Sequence, residues 1–393
     1  MDALPVVDLT DPAFWSNPYP VLAEARNRHP LARGVDGSLM TLSFEATETV
    51  LRDPRFLTTD LLAPRGITEG PIAEWWGQVM FSANPPEHTR LRRLVSRAFT
   101  PRAVESLRPR VVEITKGLLD GFSGTTVDMV AEFAHELPIR VMGAMLGVPD
   151  GDHHRFATWT ADLGLVFSSV HTPELLTRLE AAIDGLNDYV AELIADRRTR
   201  SGDDLLSGLI AAEADGDVLS ETELVAMVEN LLFAGHDTTR SMLMIGVALL
   251  LSHPEQRAIL TGDPDLAAQA VDEILRFEAP VLGSGRDAAE PLDLFGVPVA
   301  AGETVTTMSL AANRDPIAFD DPDLFDITRT GGKLMSFGQG IHYCLGAALA
   351  RLEGQVAFSM LLDRYPRIEL AAEPEWVPYA SIRRFDNLMV AIG

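Results

Sequence analysis

Cys344 is the only cysteine among 393 residues. A lone thiol has no partner for an intramolecular disulfide, so its chemistry must follow from its surroundings. It stands in FGQGIHYCLG, Phe337 to Gly346, where Gly338 and Gly340 loosen the backbone. The apolar-periodic run Leu345 to Tyr365 predicts a helix that starts at or beside the cysteine. The first turn of a helix has unpaired N–H groups and the positive end of the macrodipole, and both favour an anion. A thiol held there ionises easily, its pKa falling from about 8.5 towards roughly 3.5–7.5. A thiolate serves as a nucleophile or as a metal ligand, and a buried structural cysteine is the plainer alternative. Gly340 and Gly346 favour the ligand, because they remove side chains where something flat and wide would lie against the loop.

Three other groupings carry chemical side chains. Asp237 and Thr238 lie in AGHDTT, Ala234 to Thr239, and an acid followed by an alcohol can carry protons into a buried place. His88 and Arg92, four apart in HTRLR, share one helix face. Glu273 and Arg276, in EILR, are spaced to lock together, a pair worth roughly 0.3–0.5 kcal/mol on an exposed surface.

The elements that must position these groups are mostly helical. Ser220 to about Ser252 predicts one long helix with Ser220 and Glu223 as a capping box, and it should cross the whole body of the protein. Gly235 weakens its middle and Thr238 can bond back to a carbonyl, which predicts a local opening there. Further helices are expected over Phe44 to Arg52, after Pro85-Pro86, through most of Arg110 to Arg200, and over Ala267 to Phe277. Asp36-Gly37 signals a hairpin, and strands are expected over Leu292 to Val299 and Glu303 to Ser309 with turns at Gly296 and Gly302. The chain therefore predicts a mainly α fold with a small β region. The β-rich parts fall at approximately 30–43, 285–310 and 367–393, and the helical body at approximately 44–284 and 345–365. No linker or repeat divides it, so a single domain over 1–393 is expected. The stretch Leu57 to Phe81 is a long loop rich in large apolar residues, which is unusual for a loop and points to function.

A net charge of −25 argues against nucleic acid or an anionic membrane as a general partner. The N-terminus has neither a basic nor an apolar signal region, and the most apolar stretch, Leu231 to Leu251, is interrupted by His236, Asp237 and Arg240. A cytoplasmic protein with no membrane span is expected. Against the acidic background, Arg90 to Arg110 holds seven arginines and one acid, Glu105, which reads as a docking surface for an acidic partner or as a solvated helix face.

Taken in order, HTRLR, AGHDTT, EILR and FGQGIHYCLG resemble the soluble bacterial cytochromes P-450, and the likeness runs over nearly the whole chain. The resemblance implies a helix-rich triangular body and haem b, with Cys344 as proximal iron ligand in a loop where Phe337, Gly340, His342 and Gly346 meet the family pattern. It places His88, Arg92, Arg286 and His342 on the haem propionates, Ala234 and Gly235 against the haem, and Asp237 with Thr238 on the oxygen side. Glu273 and Arg276 would brace the proximal side. It also implies a monomeric monooxygenase that takes O2 and electrons from NAD(P)H through ferredoxin reductase and ferredoxin. The substrate would be a lipophilic small molecule of polyketide, terpenoid or steroid type. Trp75, Trp76, Val79 and Phe81 are expected to line its pocket, with Phe167, Phe233, Leu282 and Phe385. The alternatives are a peroxide-driven peroxygenase, which would normally replace the acid–alcohol pair, a non-catalytic haem sensor, and a colourless cysteine hydrolase. Two positions depart from the family. Leu324 stands where a basic residue usually joins the bracing pair, and Arg384 where a glycine is common.

Overall fold

The computed structural model describes residues 3–393 apart from 168–171, 203, 214–218 and 381; residues 97, 98, 150, 212 and 213 are described by backbone alone. Its central member is the helix Glu221–Ser252, capped as the sequence requires. The Ser220 hydroxyl accepts from the Glu223 N–H, and the Glu223 carboxylate accepts from the Ser220 N–H at 2.7 Å. At 1.5 Å per residue such a helix is about 48 Å long. Its 32 residues are apolar around most of the circumference, and such a helix must be enclosed by others. The helices Glu136–Leu146, His153–Leu163, Pro173–Thr199, Ala267–Phe277 and Ala347–Arg364 pack around it. The local opening expected at Gly235 is absent. The α-helix runs unbroken, and the Thr238 hydroxyl bonds back to the Ala234 carbonyl at 2.7 Å without interrupting it.

The main sheet among the described residues gathers distant segments in the order Val6–Val7, Leu31–Gly34, Leu39–Thr41, Thr304–Met308, Gly283–Ala288, Phe56–Thr58. Phe56–Thr58 lies inside a stretch expected to be helical or loop. Its antiparallel register sets Thr58 opposite Arg286, and directly opposed residues share one face. Leu292–Leu294 and Val297–Val299 pair as a hairpin about the expected turn at Gly296. The C-terminal strand Met389–Ala391 joins Glu369–Leu370 to Thr126–Asp128, another strand from the expected helical body. The expected apolar loop carries a short helix, Pro71–Trp76, which buries both tryptophans. Among the described residues no helix is long and apolar enough to cross a membrane.

Candidate functional site

The loop 337–346 is pinned at its neck, where the Cys344 N–H donates to the Phe337 carbonyl at 2.8 Å. The following helix starts at Ala347 with Gly346 as its cap, so Cys344 sits just before the helix and not in its first turn. The N–H groups of Gly346 and Ala347 still point at its sulfur, and Arg92 and Arg351 add positive charge. They do not prevail. Burial pushes the thiol pKa up, the reverse of the fall expected from a helix start. Desolvation of an anion exceeds what two N–H dipoles return, whereas a cationic metal against the sulfur would supply the missing charge and deprotonate it.

The two glycines act differently from each other. Gly340, at φ +70°, is demanded by packing, because a Cβ there would collide with the Leu51 carbonyl on the helix Phe44–Arg52. It does not clear space for a flat ligand. At Gly346 the nearest atom to an added Cβ is the Cys344 sulfur itself, 4.0 Å away, so that side of the loop is open.

Basic side chains converge beside the loop. The rings of His88 and His342 lie 4.1 Å apart. Burial, together with the charges of Arg92 and Arg286, pushes His88 down to about 4. His342 falls to about 3 through burial, His88, Arg286 and Arg92. The strand pair explains the arrangement: Thr58 and Arg286 are neighbours across it, and the Thr58 hydroxyl meets His342 Nε2 at 3.0 Å. Arg92 ties its helix to the loop by donating to the Tyr343 carbonyl at 2.7 Å. His88 Nδ1 is buried without a partner. Two arginines and two histidines whose protonation they depress, one histidine nitrogen orphaned, suit the pair of carboxylates a porphyrin carries. With a thiol beside them that a metal cation would ionise, these residues fit haem.

On the long helix Ala234 is exposed although most of the helix is buried, and Thr238, one turn on, is partly exposed. The pair therefore faces open space. Gly235 faces elsewhere, and its missing side chain makes room for Met142. Asp237 is engaged with Arg240 at 3.4 Å and lies 3.7 Å from the fully buried His236, so the acid is held away from Thr238.

Glu273 and Arg276 are not the exposed pair that spacing alone allowed. Both side chains are 1% exposed. Arg276 grips Glu273 through two bonds of 2.7 and 2.8 Å and donates to the carbonyls of Asn313, Pro322 and Leu324. The missing basic residue at Leu324 is replaced by Arg329, whose Nε lies 3.2 Å from Glu273. Leu324 itself points outward and contributes only its carbonyl. Asn313 and Ser336 tie this assembly to the cysteine loop: Met335 N–H donates to Asn313, and Ser336 donates to the Leu275 carbonyl. Sequence reasoning missed Arg329, Asn313, Ser336 and Arg351. Arg351, which stacks over Phe337 at 4.5 Å and pairs with Asp272, was the most findable, being a lone cation early in an apolar helix.

Of the expected pocket residues, Trp75, Trp76, Phe81, Phe167 and Phe233 come together as one ring cluster. Val79 is buried in the same core. Phe385 belongs to that core as well, lying against Trp376 at 4.2 Å, whereas Leu282 packs with the N-terminal cluster around Phe14 and Met308. Arg384 contributes its carbonyl to Val377, while its neighbour Arg383 is the buried cation, paired with Glu278 at 2.7 Å.

The arginine segment is less basic than its composition suggests. Arg90 pairs with Glu87 and Glu223, Arg108 with Glu105, and Arg110 with Glu113. The Arg97 side chain lies outside the described residues.

The family model described as Cytochrome P450 matches residues 62–261 and 265–375. Cytochrome P450 107B1 of Saccharopolyspora erythraea is 43% identical over 374 residues, covering 92% of this chain and 90% of its own. The 6-deoxyerythronolide B hydroxylase of the same organism is 38% identical and covers 98% of this chain and 99% of its own. The crystal structure of CalO2 superposes with a TM-score of 0.93 at 33% identity, over 98% of each chain.

Proposed function

This chain belongs to the cytochrome P450 family and is a haem-thiolate monooxygenase with haem b as its cofactor, and from that premise we propose that it hydroxylates or epoxidises a lipophilic small molecule of polyketide, terpenoid or steroid type. The electrons come from NAD(P)H through ferredoxin reductase and ferredoxin. The observation that carries the reading is the open face formed by Ala234 and Thr238 on a largely buried helix, next to the ring cluster around Phe233. One relative is by name a hydroxylase of 6-deoxyerythronolide B, which favours a substrate of the same polyketide type.

In this reading Cys344 binds the iron, and His88, Arg92, Arg286 and His342 hold the propionates. Glu273 and Arg276 keep the proximal segment rigid. The haem supplies reductive activation of O2, with the thiolate ligand donating electron density as this family does. Thr238, its hydroxyl proton parked on the Ala234 carbonyl, keeps its lone pairs free to accept a hydrogen bond from the oxygen side. Asp237 brings protons when its carboxylate swings away from Arg240. The aromatic rings keep bulk water out while that transfer occurs. The enzyme works as a monomer in the cytoplasm.

The reduced protein under carbon monoxide should give the red-shifted Soret band of a thiolate-ligated haem, and the reconstituted system should consume NAD(P)H in a substrate-dependent way. A colourless protein would overturn the reading. A coloured protein that never turns over would be a sensor, and one active only with hydrogen peroxide would be a peroxygenase.

A further inference from the structure

Arg351 lies one turn into the helix Ala347–Arg364, seven residues after Cys344, and the chemistry described above gives it no part. Its guanidinium carbon sits 4.5 Å from the centre of the Phe337 ring, and the Phe337 carbonyl closes the cysteine loop by accepting from the Cys344 N–H at 2.8 Å. The Tyr343 side chain meets the same guanidinium, so Arg351 touches the loop both at its neck and beside the thiol. On its other side Nε donates to Asp272 at 2.6 Å, on the helix Ala267–Phe277 that also carries Glu273 and Arg276. The two partners are not equally wet: the Arg351 side chain is 27% exposed and that of Asp272 44%. Water and salt therefore screen the carboxylate more than the cation, and a positive charge remains beside the sulfur. Arg92 is the other cation near the thiol, but in the reading above it faces a propionate that neutralises it.

We propose that Arg351, held over Phe337 and tethered by Asp272, is a positioning residue that steadies the charge of the Cys344 thiolate and raises the potential at which the haem iron accepts an electron; this rests on the reading of Cys344 as the iron ligand. Reducing the iron from the ferric to the ferrous state adds one negative charge next to the sulfur. The electron comes from the ferredoxin named above, and no bond is made or broken. A fixed cation on that side favours the reduced form and a fixed anion opposes it, the more so where packing under the Phe337 ring keeps water away. The two members of the pair thus act in opposite directions on one quantity. A pair that served only to join two helices would weaken the fold when either member is lost and would show no such opposition of sign.

Redox potentiometry of the holoenzyme, followed by its absorbance, tests this, with the reduced carbon monoxide spectrum recorded for every variant. Arg351→Met should lower the equilibrium constant for one-electron reduction at least about three-fold, which is about 28 mV downward at 59 mV per ten-fold. Asp272→Asn should move the midpoint upward. Arg351→Lys, which keeps the charge but not the planar stack, should stay nearer to the wild type than to the methionine variant. An unchanged midpoint in Arg351→Met, no upward shift in Asp272→Asn, or a lysine variant that matches the methionine one would overturn the assignment, while a thiolate-type Soret band in each would leave Cys344 as the ligand. If Arg351→Met fails to take up haem, the sign of the Asp272→Asn shift decides. Wild-type holoenzyme without that band would overturn the ligand reading as well.

Discussion

Arg329 Nε lies 3.2 Å from Glu273 Oε2, reaching from the loop after Leu324 to a carboxylate that is 1% exposed and already gripped by Arg276. Its remaining nitrogens hold the carbonyls of Asp320, Asp321 and Leu324. The third member of the bracing network is therefore present, five residues later than the family pattern led us to expect, and it pins the loop as well as the charge.

Arg329→Met should lower stability by about 1–3 kcal/mol, because a buried carboxylate loses one of its two cations and three carbonyls lose a donor. The thermal midpoint and the haem-to-protein absorbance ratio should both fall. Arg329→Lys should recover less than half of the loss, since an ammonium cannot span the same carbonyls. An unchanged midpoint for Arg329→Met would make the residue a bystander.

Gly340→Ala should be far more damaging than a surface glycine change. The added methyl meets the Leu51 carbonyl, and the backbone at φ +70° costs a further ~1–2 kcal/mol for any L side chain. Purified protein should contain less haem and melt several degrees lower. The matched change Gly346→Ala, with nothing closer than the 4.0 Å sulfur, should fold normally.

Thr238→Ala should keep haem content and the carbon monoxide spectrum while raising the hydrogen peroxide released per NAD(P)H several-fold. A positioned proton-transfer group of this kind contributes about 10²–10⁴ in rate. Thr238→Ser should restore most of the coupling. Unchanged coupling in the alanine variant would remove Thr238 from the proton path.

Glu353, on the helix that follows the cysteine, is buried with Oε2 unpartnered, and burial alone pushes its carboxyl from 4.5 up to about 8. Between those values the folded protein keeps a proton that the unfolded chain has released. Its contribution to stability is thus fully present below about pH 4.5 and is lost as pH rises towards 8, by up to about 1.4 kcal/mol per pH unit. Glu353→Gln should flatten the dependence of the thermal midpoint on pH between about 5 and 8 and make the variant the more stable form at the upper end. Parallel wild-type and variant curves would show that the carboxyl is ionised when folded.

Arg93→Glu should slow reduction by an acidic ferredoxin about ten-fold at low salt and weaken its salt dependence, since charge steering acts chiefly on the association rate. Equal rates for Arg93→Glu and wild type would mean that the segment is a solvated helix face.

Local signals in the chain were enough for much of this protein. The capping box at Ser220, the apolar periodicity around Glu221–Ser252 and the turn at Gly296 are interactions between residues a few positions apart, so their order in the sequence already contains their geometry. The short strands Phe56–Thr58 and Thr126–Asp128 were not legible, because each is extended only through its pairing with a distant segment. Leu282 packs away from the ring cluster for a related reason: an apolar residue shows that it will be buried but not against what.

By itself, the sequence determined the thiol, the histidines and arginines, the acid beside the alcohol, and the helices that carry them. Only the tertiary structure decided their electrical state and their company. A helix start promised an easily ionised thiol, but the enclosing fold raised it, because desolvation depends on every neighbour and not on the nearest peptide groups. Likewise Arg329 became the partner of Glu273, and Glu229 was buried beside the Trp75 indole, through contacts between segments that no spacing along the chain records.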